Sequence, residues 1–152
     1  MAGIQASGVG SNLDVAGLVE KLMEVEKQPL LAAVTQALRP GGRFAFTVEE
    51  GAPLTEAERA AMPGSDTVWP IPLPELLALL ERHGFALGAV EELTDAHRVA
   101  ALALGDAFDV HRPRIGARLG PRVVDDLVTA HRLWGQWMGS GRIRKFALVA
   151  LR

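Results

Sequence analysis

Three histidines and a tryptophan form the first group of side chains here that could do chemistry. An imidazole acts as a general base when its pKa lies near the working pH and it reaches a hydroxyl proton. His97 precedes the segment Gly105–Gly120 and His111 lies within it. His131 stands close to one helical turn before Trp134, with which it could line an apolar pocket. Surface histidines, and tryptophans that pack a helix against a sheet, are the commoner use of these residues, so both interpretations stay open.

Trp69 is a further candidate, in a long connection before Pro70, where it could act as a lid or plug one end of a sheet. Composition excludes several other kinds of site. The chain has no cysteine, which excludes disulfides and thiolate catalysis, and its four histidines lack the spacing of metal ligands. A net charge of −2 with both signs mixed argues against a nucleic-acid partner and a membrane surface.

Helices and strands alternate along the part of the chain that must position these residues, which is typical of an α/β fold. The long connection Glu49–Pro72 is expected to hold a short helix around Thr55–Ala61, and Gly105–Gly120 is expected to be a loop-like insertion. The predicted helices are Leu30–Leu38, Pro74–His83, Thr94–Leu104 and one from Pro121 to Gly139, and the predicted strands are Arg43–Val48, Phe85–Leu93 and Lys145–Leu151.

Three stretches of the chain form a recognisable series: the LRPGG turn and strand at Ala37–Phe46, the ELLALLERHGF segment at Glu75–Phe85 and the KFALVA strand at Lys145–Ala150. Together they resemble the C-terminal half of class I S-adenosylmethionine-dependent methyltransferases. The resemblance covers residues 31–152 and implies half of a Rossmann-like sheet of three strands, the last inserted antiparallel between the other two. That family transfers methyl groups from S-adenosylmethionine to small organic acceptors.

The same resemblance implies where ligands would bind. Family members often build the acceptor site around the insertion, so the substrate-binding candidates are Trp69, His97, His111, His131 and Trp134. The family holds its cofactor on a Gly-rich turn between a strand and a helix. Gly8-Val9-Gly10 has no strand before it, so no cofactor-binding residue is predicted. S-adenosylmethionine is thus expected by resemblance only, and the chain alone is expected to be inactive.

Residues 1–30 resemble a different family, the flagellar filament-capping protein (hook-associated protein 2). The matching stretches are Gly8–Asp14 and Glu26–Leu30, with the apolar stripe of an amphipathic helix between them. The sequence therefore predicts two units, residues 1–30 and residues 31–152, joined as a chimera. The alternative function that this resemblance implies is a self-associating assembly protein.

One edge of the predicted sheet suggests a partner. In the resembling family the strand at Phe44–Val48 has a neighbour on its outer side, in the half that finds no match here, so this apolar edge is expected to be open. We predict a homodimer formed through this edge and the N-terminal helix. The lack of a secretory signal and of an apolar stretch near 20 residues predicts a cytoplasmic protein.

Overall fold

The structure is a computed structural model that describes residues 30–64 and 68–152. The leader and amphipathic helix predicted for residues 1–30 lie outside the described residues, apart from Leu30. Within the described ranges there are three strands and six helices. The strands are β1 (Arg43–Glu50), β2 (Ala86–Glu92) and β3 (Arg144–Leu151); the helices are α1, whose described part is residues 30–37, α2 (Glu56–Ala61), α3 (Leu73–Arg82), α4 (Thr94–Val110), α5 (Arg112–Leu119) and α6 (Pro121–Gly139).

The three strands form one sheet in the order β1-β3-β2. Both β1 and β2 pair antiparallel with β3, so they run parallel to each other and their carboxyl ends lie beside the start of β3. Phe46 of β1 and Val90 of β2 both lie opposite Leu148. The prediction that the last strand inserts antiparallel between the other two is therefore confirmed.

Local sequence signals explain where these elements begin and end. After Pro40 the chain turns through Gly41, whose φ of 76° lies in the left-handed region that favours glycine, and the Gly41 N–H donates to the Arg152 carbonyl at 2.7 Å. At the end of α3, Gly84 has a φ of 80°, and the Phe85 N–H closes the helix on the Leu80 carbonyl. The helices and strands predicted around both glycines are confirmed.

Helices α1 and α3 cover one face of the sheet and build the main core. Eight buried residues form it: Leu31, Leu76, Leu79, Leu80, Phe85, Phe146, Leu148 and Ala150. Trp134 and Trp137 pack against a smaller buried cluster, formed by Leu54, Val68 and Ile143. None of the helices in the described residues is long and apolar enough to cross a bilayer.

The connection after β1 is held to the start of the last strand by one ion pair. Thr55 and Glu58 form a capping box that opens α2, as the predicted helix at Thr55–Ala61 requires. Arg142 donates to both carboxylate oxygens of Glu58, at 2.5 and 2.8 Å, and to the Ala52 and Pro53 carbonyls. The hydrogen bonds from Arg142 lower the pKa of Glu58 from 4.5 to about 2. The ionised Glu58 therefore stabilises the folded protein fully above pH 4.5, and this stabilisation is lost as the pH falls through about 2.

The prediction of a loop at Gly105–Gly120 is wrong, because α4 continues to Val110 and α5 follows after His111. Proline inside a helix usually breaks it, yet Pro113 lies in the first turn of α5, where a helix tolerates it. Gly105 lies inside α4 and faces α6. A Cβ built on Gly105 would lie 3.4 Å from the His131 Cβ.

Gly135 marks an even closer approach of the same two helices. A Cβ built there would lie 2.3 Å from a methyl carbon of Leu102 in α4. Arg112 ties the helices further, since it donates to Asp109 in α4 at 2.9 Å and pairs with Asp125 in α6. The three helices of this segment therefore form one packed unit.

We expect Gly135→Ala to destabilise the protein and Gly116→Ala to stabilise it. Alanine adds about 1 kcal/mol of helix propensity at either site. At Gly135 the new methyl group must displace Leu102, and overpacking costs about 1–3 kcal/mol. At Gly116 the nearest atom would lie at an ordinary 3.6 Å. Urea unfolding measures both free energies; a Gly135→Ala protein as stable as Gly116→Ala would contradict the close helix contact.

Candidate functional site

A groove between α4 and α6, called here the α4–α6 groove, encloses about 580 Å³. That volume lies in the usual range for small-molecule sites. Six of its ten lining residues are alanine, leucine or valine: Ala100, Ala101, Leu104, Val123, Leu127 and Ala130. The remaining four, His97, Asp126, His131 and Trp134, supply its polar groups.

The ring of His131 is oriented by two contacts. Its Nδ1 lies 2.7 Å from the Leu127 carbonyl oxygen, one turn earlier in α6. A carbonyl only accepts, so Nδ1 carries a proton and donates it, and Nε2 of the neutral ring is an acceptor. Phe108 of α4 meets the ring edge-on, with centroids 5.1 Å apart. The arrangement leaves Nε2 as the ring nitrogen that can accept from a ligand.

A cluster of polar and charged side chains lies at the carboxyl ends of β1 and β2. We call its members the carboxyl-edge cluster: Glu49, Thr94, His97 and Lys145. Lys145 is only 8% exposed and pairs with Glu49, which lies directly opposite it in the strand register. Thr94 accepts from the Lys145 main-chain N–H at 3.0 Å and so fastens the start of α4 to β3. The carboxyl ends of parallel strands are where α/β sheets bind ligands.

His97 connects this cluster to the α4–α6 groove. It lies in the first turn of α4 and lines the groove. Partial burial of the ring lowers the pKa of His97, the positive charge of Lys145 lowers it further, and Glu49 opposes both. With its pKa below 6.5, the imidazole is neutral at physiological pH.

The groove brings together three of the five predicted substrate-binding residues, His97, His131 and Trp134. The other two lie elsewhere. His111 is exposed at the junction of α4 and α5. Trp69 is half-buried and lines a second cavity of about 370 Å³ along β1, together with Phe44, Phe46 and Glu49. A substrate-binding role for all five stays a prediction.

Sequence reasoning missed the ion pair and the acid of the groove. Lys145 was predicted only as the start of a strand, and Asp126 is not among the predicted site residues. A signal for the pair exists, because Glu49-Glu50 ends one strand and Arg144-Lys145 begins the strand inserted antiparallel beside it. Such registers place opposite charges directly across from each other.

The described residues do not fit S-adenosylmethionine by themselves. A cofactor of this type needs a Gly-rich turn that leaves a strand and opens a helix. In the described ranges, the paired glycines Gly41-Gly42 instead lead from a helix into β1, and Gly139 and Gly141 lead from α6 toward β3. No step of a methyl transfer is therefore assigned to these residues.

Comparison with solved structures identifies the fold. The chain matches the cyclopropane synthase MmaA2 from Mycobacterium tuberculosis with a TM-score of 0.71 at 14% identity, over 82% of this chain and 49% of that one. It matches a putative sarcosine dimethylglycine methyltransferase from Galdieria sulphuraria with a TM-score of 0.70 at 11% identity, over 83% and 47%. These likenesses show a methyltransferase-like α/β fold, and the chain spans about half the length of both proteins.

A third match has a known ligand. Phosphoethanolamine N-methyltransferase 2 from Haemonchus contortus, solved with phosphomonomethylethanolamine and S-adenosylhomocysteine, matches with a TM-score of 0.67 at 18% identity. The match covers 82% of this chain and 30% of that one. No protein-family model matches the sequence, and no curated protein matches it at a significant level.

Substitutions in the ion pair should move the pKa of His97 in opposite directions. Lys145→Met removes a nearby positive charge, so the pKa of His97 should rise. Glu49→Gln removes the opposing negative charge, so it should fall. NMR titration of the His97 ring protons measures both. His111, about 20 Å along the helix axis, is the internal reference. Shifts of the same sign in both variants would disprove the electrostatic coupling.

Proposed function

We propose that this chain is the acceptor-binding half of an S-adenosylmethionine-dependent methyltransferase. The observation that carries the proposal is the α4–α6 groove. It is formed by two of the helices that connect β2 to β3 along the chain, in a methyltransferase-like sheet. The fold likeness over 82% of the chain supports it. Within the groove, His97, His131 and Trp134 are the proposed acceptor contacts.

In such an enzyme, other residues would have to bind the cofactor. Because the described residues have no Gly-rich turn between a strand and a helix, cofactor binding is assigned to a complementary half of the sheet. The outer edge of β1 is where its nearest strand would pair. The chain alone is then inactive, and the proposed reaction depends on a partner that restores the sheet.

We expect the chain alone to bind S-adenosylhomocysteine no more tightly than about 1 mM, which is roughly −4 kcal/mol. Adding a separately expressed N-terminal methyltransferase half should restore binding above the level of that half alone, because the sheet becomes complete. Isothermal titration calorimetry measures both cases. Tight binding by this chain alone would contradict the assigned division of the site, and no gain from the complementary half would remove the proposal.

When no complementary half is present, the outer edge of β1 needs another strand to pair with its outward-pointing main-chain groups. The Glu49 carbonyl accepts from the Ile71 N–H at 3.0 Å, and the Gly51 N–H donates to the Ile71 carbonyl. Since main-chain groups alternate sides along a strand, those of Arg43, Ala45 and Thr47 also point to the outer edge. Ile71 covers only the end of β1.

We propose that a second copy of the chain pairs antiparallel with this edge. Ile71 covers the carboxyl end of β1, so the pairing is centred closer to the start of the strand than the middle of the predicted Phe44–Val48 edge. A two-fold axis at Ala45 would place Arg43 of each copy opposite Thr47 of the other. The exposed alternate residues of β1 and the stacked rings of Phe44 and Phe46, 4.7 Å apart, would continue across the interface.

Ala45→Pro should convert the dimer to a monomer without unfolding β1. The substitution removes an N–H that points outward and leaves the ladder to β3 intact, a position where edge strands accept proline. Ala45→Val keeps the N–H and is the matched control. Sedimentation at micromolar concentration measures the mass. A dimer that survives Ala45→Pro but is lost on deleting residues 1–29 would favour the alternative, self-association through the N-terminal segment.

A further inference from the structure

The lining of the α4–α6 groove limits the chemistry of the molecule that can bind there. We infer that the groove binds an uncharged molecule with an apolar body and a hydroxyl group, and that this hydroxyl donates to Nε2 of His131. The inference rests on the proposed function in taking this molecule to be the acceptor. It makes no use of the cofactor, so it can be tested separately.

The walls of the groove require an apolar body. Leu104 and Val123, one on each helix, line the groove and remain 46% and 41% exposed. Apolar side chains of this size are stabilised when a ligand removes them from water, by about 25 cal/mol for each Å² covered. The floor is made of small residues, chiefly Ala101 and Ala130, which leave room for a ring or a short alkyl chain.

The hydrogen-bonding group of the ligand follows from His131. The Leu127 carbonyl takes the Nδ1 proton, so Nε2 offers a lone pair and no proton while the ring is neutral. A ligand group that only accepts, such as an ether oxygen, leaves that lone pair without a partner. A hydroxyl supplies the missing proton, and burial of the pair beside Phe108 strengthens the bond.

The charge of the ligand follows from Asp126. Among the described residues that line the groove, Asp126 is the one carboxylate. A carboxylate ligand would be repelled by Asp126 and would have to lose its hydration among alanine and leucine side chains. An anionic acceptor is therefore disfavoured on both grounds.

Three probes that share one apolar body test these points: 4-propylphenol, 4-propylanisole and 4-propylbenzoate. Each is titrated into the full chain at pH 7.5 without cofactor, and the NMR signals of His131 and the Trp134 indole are followed. We expect the phenol to bind about 3- to 10-fold more tightly than the anisole, the usual effect of one hydrogen bond. The benzoate should bind more weakly than either.

Two variants of His131 separate the hydrogen bond from packing. His131→Asn keeps a donor for the Leu127 carbonyl and removes the Nε2 acceptor, and His131→Phe keeps a ring of similar size. In both, the preference for the phenol over the anisole should disappear. The matched control is His83→Phe, the same change at the end of α3 and outside the groove lining, which should keep the preference. Asp126→Asn should improve binding of the benzoate.

Equal binding of phenol and anisole by the unchanged chain would overturn the inference, as would no binding of any probe. A preference for the phenol that survives His131→Asn would also overturn it, because the donor would then have another acceptor. Binding of the phenol with no recovery of cofactor binding in the complementation experiment would remove the proposed reaction alone. The two failures are therefore distinguishable.

Discussion

The register of the last strand is the constraint on which the rest of this structure depends. In the described part of the chain, β3 pairs with both other strands, and β1 and β2 do not touch each other. Leu148 and Ala150 point into the core beneath α1 and α3, while Lys145 points to the opposite side and meets Glu49. If β3 slipped by one residue against its neighbours, Lys145 would lie among the leucines of the core and Leu148 would lie on the opposite face. The ion pair and the core thus select the same register.

The α4–α6 groove lies beside the closest contact between the same two helices. A Cβ built on Gly135 would meet the Leu102 side chain, while Ala101 and Leu104 of the same helix as Leu102 line a space of about 580 Å³. The contact at Gly135 holds the helices together, and small side chains such as Ala101 and Ala130 leave room beside it. The start of α4 is fastened separately by Thr94.

Local signals in the sequence were enough to predict most of the fold. Alternation at Phe44, Phe46 and Val48 and the glycines Gly41 and Gly84 depend on neighbouring residues alone, so the elements around them were predicted correctly. The segment Gly105–Gly120 could not be predicted in this way. Its helices pack against α6, which follows later in the chain, and nothing in the adjacent residues reports that packing.

The candidate site shows the same division between local and distant information. The spacing of His131 and Trp134 placed them on one helix, and the structure adds His97 from another helix to the same groove. The partnership of Glu49 with Lys145 joins residues 96 positions apart and depends on strand register, so the residue types alone did not reveal it. His111 and Trp69 had suitable chemistry, but the turn between α4 and α5 and the loop beside β1 direct them elsewhere.

The Glu49–Lys145 pair also links the two unfilled surfaces of the molecule. Glu49 lines the cavity along β1, and its charge acts on His97 in the groove. A strand added at the open edge of β1 would end at the same side of the sheet, because parallel strands share their carboxyl ends. Residues at the carboxyl end of that added strand would face the groove across the Glu49–Lys145 ion pair. Under the proposed function, the outer edge of β1 and the apolar groove would be two parts of one site, and pairing at the edge would bring the reacting partner to the groove.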